Sequence, residues 1–182
     1  KIIVIVSSLL VLCFAEDELK RLRSGFAAQG DDEKMNYILL DYELKDVTIN
    51  GQTFKKPIIP FGGLNAEEGE PVLPTVTTFY QVAPNKSYNI KVNIQSSEIF
   101  ENIDIVPHQT WDPLTGETTV PFKRNIDLYT SDEPFPKKQA SISQIIVFRD
   151  LPVVKVSFTP FRYRPLSRQL EIITSADIDL VE

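Results

Sequence analysis

Cysteine is almost missing from this chain of 182 residues: Cys13 is the only one, and there is one histidine and one tryptophan. A transition-metal site of the usual kind needs several Cys or His ligands, so a zinc centre is not expected. Glycine is also scarce, with 7 residues against 13 prolines, which argues against a glycine-rich phosphate cradle and for many short, stiff connections. No excess of basic residues is present: the formal charge is −6, and a phosphate backbone needs clustered Lys and Arg. Nucleic acid is therefore not expected as a partner. No apolar run reaches the roughly 20 residues that a membrane-spanning helix requires. At 42% hydrophobic and 24% charged, the composition suits one globular domain with tails.

The one long apolar run lies at the start. Lys1 precedes Ile2–Leu12, followed by Cys13-Phe14-Ala15 and then Glu16-Asp17-Glu18. A basic start, a short apolar middle and a small residue before an acidic stretch are the layout of a secretory signal peptide, with cleavage expected after Ala15. A lipid anchor on Cys13 is the weaker alternative, because the bulky Leu12 precedes it. Cleavage would leave a mature chain with no cysteine, hence no disulfide and no thiol nucleophile. The missing initiator Met, and an end inside a strand-like run at Glu182, suggest a piece of a longer reading frame. The expected organisation is a signal peptide over 1–15, a polar leader over 16–35 and a β domain over 36–182. In the leader, Leu19, Leu22 and Phe26 have helical spacing, which fits a short amphipathic helix or a mobile arm.

From Asn36 the period becomes two. Ile38, Leu40, Tyr42 and Leu44 are expected on one face, Asn50-Gly51 is a hairpin turn, and Gln52–Lys55 returns. Further strands are expected over Thr75–Val82, Tyr88–Gln95 (with Asn89, Lys91, Asn93 and Gln95 on a wet face), Ile99–Val106 and Phe122–Tyr129. Ser141–Arg149 and Val153–Thr159 form a pair turning at Asp150-Leu151-Pro152. Gln169–Thr174 and Ile178–Val181 finish the domain. About eight to ten short strands without a helical layer predict an all-β sandwich of two antiparallel sheets. Pro107–Pro121 is the longest connection.

Chemistry-bearing residues are few. His108 follows Pro107, and an ordinary loop role is favoured over that of a catalytic base. No G-x-S-x-G turn surrounds a serine. Asp177 and Asp179 share a strand face, and Asp31-Asp32-Glu33 lies in the leader, but neither has calcium-loop spacing. Glu67, Glu68 and Glu70 crowd one loop instead of facing each other across a cleft as a glycosidase pair does. Asp112-Pro113-Leu114-Thr115-Gly116-Glu117 reads as a tight turn. Trp111 sits beside it on the long connection, either packed on the core or offered as an aromatic anchor. Lys123-Arg124 reads as a solvated strand start. Trp111, Phe122 and Tyr129 would also be the stock for the platform of a secreted adhesion or carbohydrate-binding module, which is the alternative function.

Glu68-Gly69-Glu70-Pro71-Val72-Leu73-Pro74 is an extended run with Gly69 free to take positive φ. Gly69–Pro74, the strand ending Val82-Ala83-Pro84, Phe148-Arg149-Asp150, Val153-Val154, Phe158-Thr159-Pro160, Tyr163, Pro165 and Leu170 come in an order and spacing that resemble the N-terminal propeptide of gingipain-type (family C25) cysteine peptidases. The resemblance runs from Asn36 to Val181. It implies a β-sandwich prodomain without catalytic residues or cofactors, made in cis with its peptidase. Such a prodomain assists folding, covers the active-site cleft and is removed by proteolysis. It also implies export through the periplasm of a gram-negative cell. In that family a prodomain loop offers a basic side chain to the specificity pocket. The matching part here is Pro107–Pro121, so the expected contact residues are His108, Trp111, Asp112, Leu114, Thr115, Lys123 and Arg124. Residues 111–115 contain no Lys or Arg. Either the cognate peptidase prefers another residue, which is favoured, or Lys123 or Arg124 takes that part.

Overall fold

The computed structural model describes residues 25–28, 34–39, 41–110 and 122–182. Among them are twelve strands and one helical turn, and every strand pair is antiparallel. The first sheet holds β1 (Gly25–Ala28), β2 (Lys34–Ile38), β7 (Asn89–Phe100), β11 (Phe161–Arg164) and β12 (Gln169–Val181). β12 is its axis, with β7 along one edge and β2 and β11 end to end along the other. The second sheet holds β5 (Gly63–Leu64), β6 (Pro74–Gln81), β8 (Ala140–Ile142), β9 (Ile146–Phe148) and β10 (Leu151–Phe158). A separate hairpin pairs β3 (Glu43–Ile49) with β4 (Gln52–Ile58). The expected all-β sandwich is what the chain forms, with more strands among the described residues than the sequence pattern indicates.

The core lies between the two sheets. Leu170, Ile172, Ala176, Ile178 and Leu180 alternate inward along β12, and Val154, Val156 and Phe158 do the same along β10. Tyr37 of β2 meets Phe158 edge-on across the sandwich, with ring centroids 4.8 Å apart. Each such buried side chain contributes about 1.5–3 kcal/mol. Thr159-Pro160 is the corner where the chain leaves the second sheet as β10 and joins the first as β11. Proline has no N–H to satisfy there, and the Pro160 carbonyl accepts the Ile173 N–H at 2.8 Å.

Several expectations need correction. The even residues 38–44 do not form one apolar face: Met35, Tyr37 and Leu39 are buried, Ile38 is exposed, and the chain passes into the separate β3 hairpin by Glu43. Leu40 lies outside the described residues. β1 and the start of β2 fall in the span read as a leader, and Leu19 and Leu22 lie outside the described residues. β7 runs unbroken to Phe100, where Asn102 at φ +58° ends it; the rest of the expected Ile99–Val106 strand makes only isolated main-chain pairings, of Ile103 with Arg168, of Asp104 and Val106 with Lys55, and of Val106 with Val72. Likewise Gln169–Val181 is one strand, because an extra residue at Thr174 in β12 is compensated by one at Gln95 in β7 and the register is restored.

Phe122–Tyr129 is no strand. It ends in the helical turn α1 (Ile126–Tyr129), capped by the Asn125 side chain, which accepts the Leu128 N–H at 3.1 Å. Ser141–Arg149 splits into β8 and β9, and the turn into β10 is Arg149-Asp150, both at positive φ. Asn50-Gly51, at φ +50° and +79°, makes the expected hairpin turn.

Candidate functional site

The two feet of the long connection come together on one short run of chain, residues 68–72, a tight turn that leads into Pro71 and Val72. On one side the Gly69 N–H donates to the His108 carbonyl at 2.8 Å, the His108 N–H to the Glu70 carbonyl at 2.7 Å, and the Val72 N–H to the Val106 carbonyl at 2.9 Å. On the other side the Asn125 N–H donates to the Gly69 carbonyl at 2.9 Å. Gly69 thus sits between the outgoing and the returning foot of the connection. Glu67–Glu70 is a tight turn closed by the Glu70 N–H on the Glu67 carbonyl at 3.1 Å, with Gly69 at φ +86° in its third position. A Cβ at Gly69 would lie 2.9 Å from the Asn125 nitrogen, so both the backbone angle and the close approach require glycine.

Gln109 completes the junction. It is the only buried polar residue among those described. Its Oε1 accepts the Lys123 N–H at 2.9 Å, and its Nε2 donates to the Lys123 carbonyl at 2.8 Å and to the Pro107 and His108 carbonyls at 3.1 and 3.0 Å. Lys123 Nζ reaches Glu68 Oε2 at 2.5 Å. Together with hydrogen bonds from Thr110, that ammonium holds the Glu68 carboxyl below its ordinary range.

Below the feet lies a polar seam. Arg124 pairs with Asp104 Oδ1 at 3.0 Å and stacks on the Tyr129 ring, its guanidinium carbon 3.9 Å from the ring centre. The Tyr129 hydroxyl donates to the Ile105 carbonyl at 2.9 Å, and the Tyr163 hydroxyl to the Ile103 carbonyl at 3.1 Å. Burial first, and the Asp104 charge, push the Tyr163 hydroxyl up to about 12. Phe122 packs on Phe54, with ring centroids 5.7 Å apart, beside Val72 and Val106 in a small second core under the β3–β4 hairpin.

The expected contact residues therefore separate. Trp111, Asp112, Leu114 and Thr115 lie outside the described residues, as does Ala15. His108 is half-buried and bound through its main chain at the outgoing foot. Lys123 is half exposed but paired with Glu68. Arg124 pairs with Asp104 and stacks on Tyr129 within the fold. Tyr129 is buried and Phe122 is covered by Phe54, so those two do not form an aromatic platform and the adhesion-module reading loses its support. Glu70 accepts the Glu67 N–H at 2.9 Å, and Asp177 accepts from Asn36 and Gln95 at 3.0 and 2.7 Å; these carboxylates serve the fold. Among the described residues no group of three or more metal-binding side chains occurs, and no helix is long and apolar enough to cross a membrane. Sequence reasoning missed Gln109, whose importance lies in the Lys123 main-chain groups it meets, and Asp104, whose carboxylate meets the Arg124 guanidinium.

Comparison with known proteins agrees with this fold. The family model Propeptide_C25 matches residues 18–181. Gingipain R2 of Porphyromonas gingivalis is 23% identical over 159 residues, covering 86% of this chain and 21% of the relative. The same protein from a second strain is 26% identical over 124 residues, covering 66% of this chain and 16% of the relative. The chain thus spans about a fifth or less of the length of these curated relatives. Among solved structures, the complex of the P. gingivalis RgpB pro- and mature domains aligns with a TM-score of 0.73 at 21% identity, covering 88% of this chain and 83% of that one. A structure addressing the zymogenic latency of P. gingivalis gingipain K aligns with a TM-score of 0.65 at 18% identity, covering 87% and 92%. With the family matched along nearly its whole length, this chain belongs to the C25 propeptides, the non-catalytic prodomains of gingipain-type cysteine peptidases.

Proposed function

We propose that this prodomain keeps a cysteine peptidase latent in cis by laying the 107–121 connection over its active-site cleft, and that it assists folding of the peptidase until proteolysis removes it. The observation that carries this reading is the junction on Gly69. A long connection whose two feet are both hydrogen-bonded to one tight turn, Glu67–Glu70, is presented at little further entropic cost, as an inhibitor needs. The covalent tether adds a high effective concentration. Trp111, Asp112, Leu114 and Thr115, flanked by His108 and Lys123, are the proposed contact residues. With Arg124 tied into the fold and no Lys or Arg in 111–115, the cognate peptidase is proposed to accept a residue other than arginine or lysine at its specificity pocket. A signal peptide cut after Ala15 would direct the precursor through the periplasm of a gram-negative cell to the surface or medium.

The test mixes the recombinant chain, starting at Glu16, with the catalytic domain of its own precursor. Peptide hydrolysis should fall in proportion to added prodomain, and the two should co-elute on gel filtration. Unchanged hydrolysis together with separate elution would refute latency. Assays on peptides with Lys, Arg and neutral residues before the cut then read the specificity.

A further inference from the structure

Gln109 has a feature that ordinary loop residues lack. Its amide engages both main-chain groups of one residue on the opposite foot, accepting from the Lys123 N–H and donating to the Lys123 carbonyl. That is the pairing a neighbouring β-strand would supply, and here a side chain supplies it. The second donor direction serves the Pro107 and His108 carbonyls on Gln109's own foot. An uncharged amide of this reach is required. A carboxylate has no donor to offer three carbonyls, an apolar chain leaves buried polar groups without partners, and Asn is one methylene shorter.

The junction therefore fixes the feet at two levels. The main chain of Gly69 and Glu70 holds His108 and Asn125, and one step closer to the loop the Gln109 amide holds Lys123. The thirteen residues 110–122 leave from that second tie. Without it the feet can splay beyond the Gly69 level, the loop ends lose their fixed separation, and docking must restrict that freedom anew.

We propose that Gln109 is the positioning residue of the contact loop: its amide sets the separation and register of the feet, and the tightness of inhibition depends on it although it touches no partner. This rests on the latency reading above. The mechanism is preorganisation, so its signature is a weaker complex formed by a chain that is still folded.

The test compares Gln109→Met, which keeps length and loses the amide, with Val156→Ala, a core truncation remote from the junction. Each is measured in the 182-residue chain for urea stability, for exchange of the Lys123 amide proton, and for the inhibition constant against the cognate peptidase. Gln109→Met should speed Lys123 exchange and raise the inhibition constant about tenfold, mostly through faster dissociation, equivalent to about 1.4 kcal/mol. Val156→Ala should lower stability and leave the inhibition constant where it was. Gln109→Glu supplies a second variant should the first not fold. It should bind weakly near pH ~8, where the carboxylate has no donor to offer the three carbonyls. Wild-type inhibition constants for Gln109→Met or for Gln109→Glu at alkaline pH would overturn the proposal. So would an equal loss in Val156→Ala, which would make Gln109 merely structural. If the unaltered chain fails to inhibit, the latency reading itself falls; if it inhibits and the Gln109 variants match it, only the role of Gln109 falls.

Discussion

Replacing Gly69 by alanine separates two physical effects that usually act together. Gly69 has φ +86°, and an added Cβ would lie 2.9 Å from the Asn125 nitrogen and 3.3 Å from the Arg124 carbonyl carbon. Gly51 has φ +79° and open space around its would-be Cβ. Both alanines meet the left-handed penalty of about 1–2 kcal/mol, partly offset by about 0.4–1 kcal/mol from a less flexible unfolded chain. Only Gly69→Ala must also push main chain aside, an overpacking cost of about 1–3 kcal/mol. The expectation is a loss of about 0.5–1 kcal/mol for Gly51→Ala and about 2–3 kcal/mol for Gly69→Ala. With a urea slope of about 2 kcal/mol/M, the midpoints should fall by about 0.3–0.5 M and about 1–1.5 M. Equal shifts would show that the Asn125 foot moves freely, and the account of a rigid junction would be wrong. Unequal shifts with an altered slope would mean that the variant changed an end state instead.

Arg124→Ala should cost about 2–4 kcal/mol in chemical denaturation, from a charge-assisted hydrogen bond plus the stacking on Tyr129. Unchanged stability with lost inhibition would instead make Arg124 a contact residue. Glu68 has a folded pKa below its unfolded value of about 4.3, so its contribution is present above that value and fades as the pH falls through the folded one. The stability gap between the wild type and Glu68→Gln should therefore be flat near neutrality and close below about pH 4; a gap that widens on acidification would contradict the Lys123 pairing. Phe158→Ala, which empties a fully buried site facing Tyr37, should lower stability by about 3–5 kcal/mol. A loss under 1 kcal/mol would argue against a single packed core.

How much was legible varied with how local the physics is. The Asn50-Gly51 turn, the alternation along β7 and the positive φ of Gly69 follow from one or two residues and the allowed regions of backbone space, so they could be read directly. Strand limits were not local. Whether Gln169–Val181 is one strand or two depends on a matched pair of extra residues, Thr174 and Gln95, about eighty positions apart. Phe122–Tyr129 alternates well enough for a strand, but Asn125 caps a helical turn there because Arg124 and Tyr129 must meet Asp104 and Ile105. The candidate site was half visible. Its connection stands out by length and by its bounding prolines, whereas Gln109 reads as an ordinary loop polar residue.

The sequence alone determined the class: a period of two is a property of the chain itself and suffices for an all-β domain, and the ordered set of Gly, Pro and aromatic positions carries the resemblance to the C25 propeptides. Only the tertiary structure decided what the Glu68–Val72 run does. The positive φ of Gly69 was predictable, whereas a tight turn over Glu67–Glu70 stands where an extended run was expected, and its hydrogen-bonding groups have no preferred partner until folding brings residues 106–109 and 123–125 to either side of it. Main-chain amides are alike at every position, so which of them meet is decided by packing between distant strands and is not written in any local pattern.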